Sequence, residues 1–364
     1  MIMKSGAPLM ILTALLLGLP MLGATSTGHP MSLYLEFPPH TRYVQHAPFS
    51  WFAFALLTAL ALLVLLGALI FSLYLPRREG NARAAAQVHF PWWGWVSGVL
   101  VVCFWTLAWA RFAWFRGFQN YTFTPLWISF VVFVNALTYR RTGSCLLTRQ
   151  TRYLLALFPA SALFWWYFEY LNRFAQNWYY LGQEMFTPLT YTIHATMAFS
   201  TVLPAVMSTT ELLQTYPALG RTRWQRPLVL GNRKMHAGAI LALASLGLVG
   251  IAVWPDHWYP VLWVSPVLIL VSLQILFGQK NILQKLERGD WQVITLPALA
   301  ALVCGVFWEM WNHYSYPKWE YCIPYIQRFE IFEMPLLGYL GYLPFGLQCS
   351  VVADLVARLS GAGN

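Results

Sequence analysis

QVITLPALAALVCGVFWEMWN, residues 292–312, carries a single charge, Glu309, near the end of an otherwise uncharged apolar run. At 1.5 Å of rise per residue, a helix of this length crosses the ~30 Å hydrocarbon core of a bilayer. An acid placed there is costly unless something uses or satisfies it. Working outward, YLLALFPASALFWWYFEYLN, residues 153–172, closes in the same way, with Glu169 and Asn172 standing where the first stretch has Glu309 and Asn312.

The likeness extends on both sides. The earlier copy reads Thr124-Pro125-Leu126, then Phe168-Glu169-Tyr170-Leu171-Asn172, then Trp178-Tyr179-Tyr180. The later copy reads Ser265-Pro266-Val267, then Trp308-Glu309-Met310-Trp311-Asn312, then Trp319-Glu320-Tyr321. Counted from the Pro, the Glu, Asn, Trp and Tyr fall at 44, 47, 53 and 55 in one copy and at 43, 46, 53 and 55 in the other. Hydropathy alone does not impose such spacing, so an internal duplication is expected. Each Glu-x-x-Asn ends a run that starts from the more basic side, so the copies point the same way. A tandem parallel repeat of four helices each, near 92–213 and 236–356, is expected about an axis along the membrane normal.

Composition agrees with a membrane chain. Of 364 residues, 58% are hydrophobic and only 10% charged, whereas soluble domains carry roughly 25%. Further apolar runs lie near 49–75, 92–110, 122–139, 188–213, 236–254, 261–277 and 331–356. The expected fold class is therefore all-α, a polytopic membrane helical bundle of about nine spans plus an N-terminal segment. That segment, 1–24, has the charged start and apolar middle of a signal peptide or a signal anchor. Residues 25–48 form an external polar segment, and 49–91 an extra transmembrane helix followed by a basic loop.

Lys and Arg set the orientation, because cytoplasmic loops retain them in excess. Alternate loops divide them 17 to 6, with Arg140, Arg141, Arg149 and Arg152 in one loop of the richer set. The carboxyl terminus is thus expected in the cytoplasm, and the Glu-x-x-Asn ends near the external face, in a bacterial inner membrane. The net charge of +10 is spread over short loops and forms no continuous basic face, so nucleic acid is not an expected partner. The five Cys stand singly, with neither disulfide nor zinc spacing. No nucleotide-binding loop, zinc-protease helix motif or serine-hydrolase elbow occurs.

The candidate chemistry gathers at the outer helix ends. Glu309, Glu169 and Glu333 are the candidate catalytic acids, because burial disfavours a carboxylate's charged form and makes it a proton donor or carrier. Structural alternatives are that Glu and Asn cross-link helices, that Glu169 pairs with Arg173, and that Glu333 starts the last helix, with Pro335 in its first turn. Candidate substrate-binding residues are Asn172, Asn312, Trp178, Tyr180, Trp319, Tyr321, His194 and His313. The rings suit an interfacial belt, and also a pocket whose π faces stabilise a cation screened from water. His313, four residues after Glu309, raises a metal site with Glu333, but a hydrogen-bonded interface pair is the simpler reading; no metal is assigned.

From Phe307 to Gln348 the order of an acid in a Trp-rich helix end, a Trp-x-Tyr, and an acid with a Pro before a final helix resembles the membrane lycopene cyclase domain of bacteria and archaea. That resemblance implies repeated helix units and acid chemistry on an isoprenoid or carotenoid, with Glu309, Trp319, Tyr321 and Glu333 at the matching positions. The order Glu333-Met334-Pro335 departs from that family, which places Pro before two acids. The implied function is a cyclase- or isomerase-like enzyme on a hydrophobic membrane lipid, requiring no cofactor. The alternatives are a transporter or channel with its pathway at the repeat interface, and a non-catalytic scaffold or assembly factor.

Overall fold

The computed structural model describes residues 7–39, 41–74, 77–79, 88–220, 222–224, 227–229 and 231–361. These residues are mostly helical, with a few short strands. The principal helices are α1 (Ala7–Ser26), α2 (Trp51–Tyr74), α3 (Trp92–Trp109), α4 (Phe123–Thr142), α5 (Thr151–Ala175), α6 (Pro188–Phe199), α7 (Val202–Gln214), α8 (Arg233–Val253), α9 (Ser265–Leu276), α10 (Gln292–His313) and α11 (Tyr342–Leu359). Among the described residues, six helical segments are long and apolar enough to cross a membrane, or up to eight if each of two bent pairs is one span. The chain is compatible with a multi-pass integral membrane protein.

Two departures from the expected runs have local causes. The run near 188–213 is broken into α6 and α7. Pro204 lacks the N–H that would bond the Ser200 carbonyl, and its ring crowds that carbonyl. The Ser161 hydroxyl bridges the break, donating to the Phe199 carbonyl at 2.6 Å and accepting from the Leu203 N–H at 3.0 Å. The run near 331–356 does not begin as a helix. Glu330–Ile331 (β5) pairs antiparallel with Met334–Pro335 (β6), and a 3₁₀ turn over Leu336–Gly341 follows before α11. Pro335 therefore lies in a strand, and Glu333 sits in a hairpin turn beside the left-handed Phe332 (φ 58°), away from any first helical turn.

Bends of 70° and 53° precede α4 and α9, whose third and second residues are Pro125 and Pro266. Among the helices, α3 packs on α4 and α8 on α9, while α5, α7, α10 and α11 meet in the middle. Close approach of α10 and α11 depends on Gly346, where a Cβ would lie 2.1 Å from the Pro297 carbonyl oxygen. At the helix ends carrying the acids, Trp178–Leu181 (β2) pairs antiparallel with Lys318–Tyr321 (β4), in the register Trp178 with Tyr321, Tyr179 with Glu320 and Tyr180 with Trp319. A second small pair joins Arg77–Glu79 (β1) to Thr222–Trp224 (β3).

Candidate active site

Glu309, in the last turns of α10, is fully buried. Its Oε1 accepts from the Tyr321 hydroxyl at 2.7 Å and from the Tyr342 hydroxyl at 2.6 Å, and Trp319 Nε1 donates to the Tyr321 hydroxyl at 2.9 Å. Tyr342 reaches in because Gly305, one turn before Glu309, leaves room for its ring; a Cβ there would lie 2.5 Å from it. Glu169, near the end of α5, is equally buried, and its Oε1 accepts from Tyr180 (2.6 Å), Trp165 (3.0 Å) and Trp178 (3.1 Å). Every donor on both acids is neutral. Oε2 of each acid is buried without a hydrogen-bond partner among the described residues. Arg173 donates instead to the Tyr34 carbonyl, and among the described residues its attraction to Glu169 acts across space without a direct ion pair.

The two Asn residues fix the strands that carry these donors. Asn312 Nδ2 donates to the Trp319 carbonyl at 2.7 Å and its Oδ1 accepts the Trp319 N–H at 2.9 Å. Asn172 does the same for the other strand, donating to the Trp178 carbonyl at 2.8 Å and accepting the Asn177 N–H at 2.8 Å. The carboxamides are thus bonded to the backbone, one turn of helix beyond each acid. Burial, then the adjacent acid, pushes the Tyr180 and Tyr321 hydroxyls well above the ordinary phenol range. Both phenols therefore stay protonated at any physiological pH.

A cavity of about 910 Å³ lies between the two acid sites. Tyr180, Trp178 and Trp165 border it from one side, and Tyr321, Trp319 and Tyr342 from the other. The carboxyl groups themselves stand behind these rings and do not border it. Asn312 and His194 also line the wall, the His194 ring lying 4.3 Å from the Tyr121 ring and 5.1 Å from that of Phe186. One face of α2, with Leu57, Leu60, Ala61, Val64 and Leu65, closes the apolar side.

Glu333 and His313 belong to a different cluster. Glu333 Oε1 accepts from Lys318 at 2.9 Å and contacts His313 Nδ1 at 3.1 Å. Lys318 also pairs with Glu320 at 2.9 Å, and the Tyr179 hydroxyl donates to Glu320 at 2.6 Å. Glu333 is therefore one of a set of ion-paired groups around Lys318, which borders the cavity, whereas Glu169 and Glu309 are enclosed by neutral donors. Among the described residues no three His, Cys, Asp or Glu stand together as metal ligands.

Sequence reasoning missed Tyr342, Asn177 and Lys318, all of which border the cavity. No local spacing marks Tyr342. Asn177 and Lys318 did carry a signal, since both stand 52 residues after the Pro of their copy. Also missed was His46, whose ring bonds Asp256 at 2.5 Å and the Gln176 carbonyl at 3.1 Å. Comparison with protein-family models finds no matching family, and comparison with curated proteins and with solved structures finds no match.

Proposed function

We propose that the chain is a membrane-embedded enzyme performing proton-transfer chemistry on an apolar, isoprenoid-type lipid, with a net isomerisation or cyclisation and no redox cofactor. The observation that carries this reading is the aromatic cavity whose tyrosines are hydrogen-bonded to fully buried acids. Glu309 holds the proton, and Tyr321 or Tyr342 passes it to an alkene carbon at the cavity wall. The phenol recovers its proton from the carboxyl, and the lipid becomes a carbocation. The surrounding π faces stabilise that cation. Ring closure or a bond shift, followed by return of a proton to the carboxylate, gives a product of unchanged composition. Glu169 with Tyr180 forms the equivalent pair on the other side. Glu333 and His313 act around Lys318, on access and orientation. The likeness of the Phe307–Gln348 stretch to the membrane lycopene cyclase domain points to the same chemistry.

The reading includes a tandem parallel repeat. It is supported by the matched Asn-to-strand bonds, by the bends before Pro125 and Pro266, and by the strand pairing, which exchanges Trp178 with Tyr321 and Tyr180 with Trp319 as a two-fold axis along the membrane normal requires. Counting α2 and the broken α6–α7 pair as crossings gives nine spans after the N-terminal segment. With the basic loops in the cytoplasm, the carboxyl terminus is cytoplasmic and the cavity lies beneath the external headgroups of a bacterial inner membrane.

The test is turnover of polyene lipids by purified protein, read as a new isomer of unchanged mass. Glu309→Gln should lower the rate by about 10²–10⁴-fold, the scale of general acid–base catalysis, while thermal unfolding stays near that of the parent. Undiminished turnover in that variant rejects the reading. A transporter is the second reading, favoured by two acid sites facing one cavity; it predicts flux into proteoliposomes that both Glu→Gln changes abolish, with no new isomer formed.

A further inference from the structure

A second pocket, of about 280 Å³, lies at the end of α10 opposite Glu309, near the lower limit for small-ligand sites. The ends of α7 and α11 and the link between α9 and α10 also form its wall. Two cations and two acids border it: Lys285, Arg358, Asp290 and Asp354. Arg358 is bonded to Asp354 and donates to the Lys280 carbonyl at 2.9 Å, so that pair is closed on itself. Lys285 and Asp290 are left over. Among the described residues neither side chain has an ion pair or a hydrogen bond.

The atoms that an occupant meets are identifiable. Asp290 Oδ1 is sealed inside the protein, and Oδ2 is the carboxylate oxygen that stays accessible. Gln274 on α9 is 3% exposed and borders the pocket. Its Oε1 is sealed, whereas its Nε2 stays accessible and unbonded among the described residues. A nearly buried amide without a partner is costly, and such groups commonly have a purpose. The first turn of α10, with Gln292 and Val293, also lines the wall, and helix N-termini favour negative charge.

The wall therefore favours an anion through Lys285 Nζ, Gln274 Nε2 and the start of α10, and a cation through Asp290 Oδ2. A simple anion would leave Asp290 unpaired and meet its repulsion, and a simple cation would do the same with Lys285. A ligand carrying both signs satisfies each. An ammonium suits Oδ2, because it has three N–H donors and no acceptor. A phosphate suits the donors, since it only accepts from them.

We propose that this pocket binds a zwitterion, a primary ammonium joined by a short linker to an oxyanion, which is the chemistry of a phosphoethanolamine group. With the basic loops in the cytoplasm, the pocket lies at the depth of the inner headgroups, where basic pockets between membrane helices hold lipid headgroups. The site stands apart from the aromatic cavity and from the reaction assigned to it.

Full-length protein, stripped of lipid in detergent, is titrated with phosphatidylethanolamine, phosphatidylglycerol and phosphatidylcholine of equal acyl chains, and separately with free phosphoethanolamine. Native mass spectrometry counts what is bound. The ethanolamine lipid should bind about tenfold more tightly than the glycerol lipid, which has no ammonium, and than the choline lipid, whose methylated nitrogen donates no hydrogen bond. Asp290→Asn should bring the ethanolamine lipid down to the level of the glycerol lipid, and Lys285→Gln should weaken both alike. Neither side chain is bonded in the protein alone, so both lipid-free variants should unfold at the parent temperature, which separates lost binding from lost folding. Binding of the lipid assigns a headgroup as the ligand; binding of free phosphoethanolamine alone, with the same dependence on Asp290 and Lys285, assigns a soluble zwitterion. Both uphold the proposal. Equal affinity for the three lipids, tighter binding of the glycerol lipid, an ethanolamine preference that survives Asp290→Asn, or no binding of any probe each overturns it.

Discussion

At the scale of single residues, Glu and Asn divide the labour that their shared motif concealed. In each copy the Glu is turned toward the aromatic donors, and the Asn, one turn on, is turned toward the strand that carries two of those donors or their relay. Removing Asn312 would leave the Trp319 N–H and carbonyl without their bonds in a nearly dry setting. Asn312→Ala should therefore cost about 2–4 kcal/mol, from two groups at roughly 1–2 kcal/mol each. Asn312→Asp keeps the acceptor and loses the donor, so it should fall between parent and Ala. Thermal unfolding in detergent measures both, and equal stability of all three proteins would show that the strand is held by other bonds. The position of Glu309 and Asn312 was legible in the sequence, because a polar pair closing an apolar run stands out. Their separate tasks were not, since three residues along a helix place two side chains on nearly the same face whatever each one bonds.

At the scale of elements, helix packing and strapping loops determine whether the site is held shut. Gly346 lets α11 lie against the Pro297 carbonyl of α10, and small residues serve this purpose widely between membrane helices. Gly346→Ala places a methyl group where backbone already stands, so a loss of about 1–3 kcal/mol is expected, with the Tyr342 to Glu309 bond weakened because Tyr342 lies one turn away on α11. A lowered unfolding temperature together with reduced turnover would support this; an unchanged protein would mean the helices can part without consequence. The segment before α2 is fixed differently. His46 bonds Asp256 and the Gln176 carbonyl, while the Ala47 N–H donates to the other Asp256 oxygen at 3.0 Å. Burial works against charge on the His46 ring, but the neighbouring Cys322, the Gln176 carbonyl and Asp256 together outweigh burial and push it up to about 9.

The sign of the resulting pH dependence follows from that upward shift. An unfolded histidine titrates near 6.5, so below that value the ring is charged in both states and the contribution of the strap is fully present. It declines as pH rises above that value and is lost as pH passes through about 9. The unfolding temperature should fall across this window, and His46→Gln should flatten the fall. A parent profile that is level from pH 6.5 to 10 would argue against a charged His46. No sequence pattern announced this pair, because its members lie 210 residues apart and each is an ordinary loop residue on its own.

At the scale of the whole molecule, the strands Trp178–Leu181 and Lys318–Tyr321 meet in one small sheet, and a cavity lies between the two buried acids. Tyr179 lies opposite Glu320 at the centre of that sheet, and their 2.6 Å bond crosses the join. The duplicated order of Glu, Asn, Trp and Tyr implies that equivalent residues should surround a shared axis, and a topology experiment tests the frame in which that axis stands upright. Reporters placed just after α4, at Gly143, and after the carboxyl terminus should both read as cytoplasmic, while one at Gly182, just after the Trp178–Leu181 strand, should read as external. An external carboxyl terminus would invert the orientation and move the cavity to the cytoplasmic leaflet.

The sequence by itself determined the solvent, the helical class and the places where costly acids sit, because apolar length and the scarcity of charge are properties of consecutive residues. It also held the duplicated spacing, which local order preserves. Only the tertiary structure decided that Glu169 and Glu309 stand behind tyrosines, that Glu333 joins Lys318 and His313 instead, and that Asn177 is left unbonded at a cavity wall. Those outcomes depend on which helices touch and how a strand from one half registers on a strand from the other. Such long-range pairings arise from packing of distant segments, and no window of the chain contains both partners.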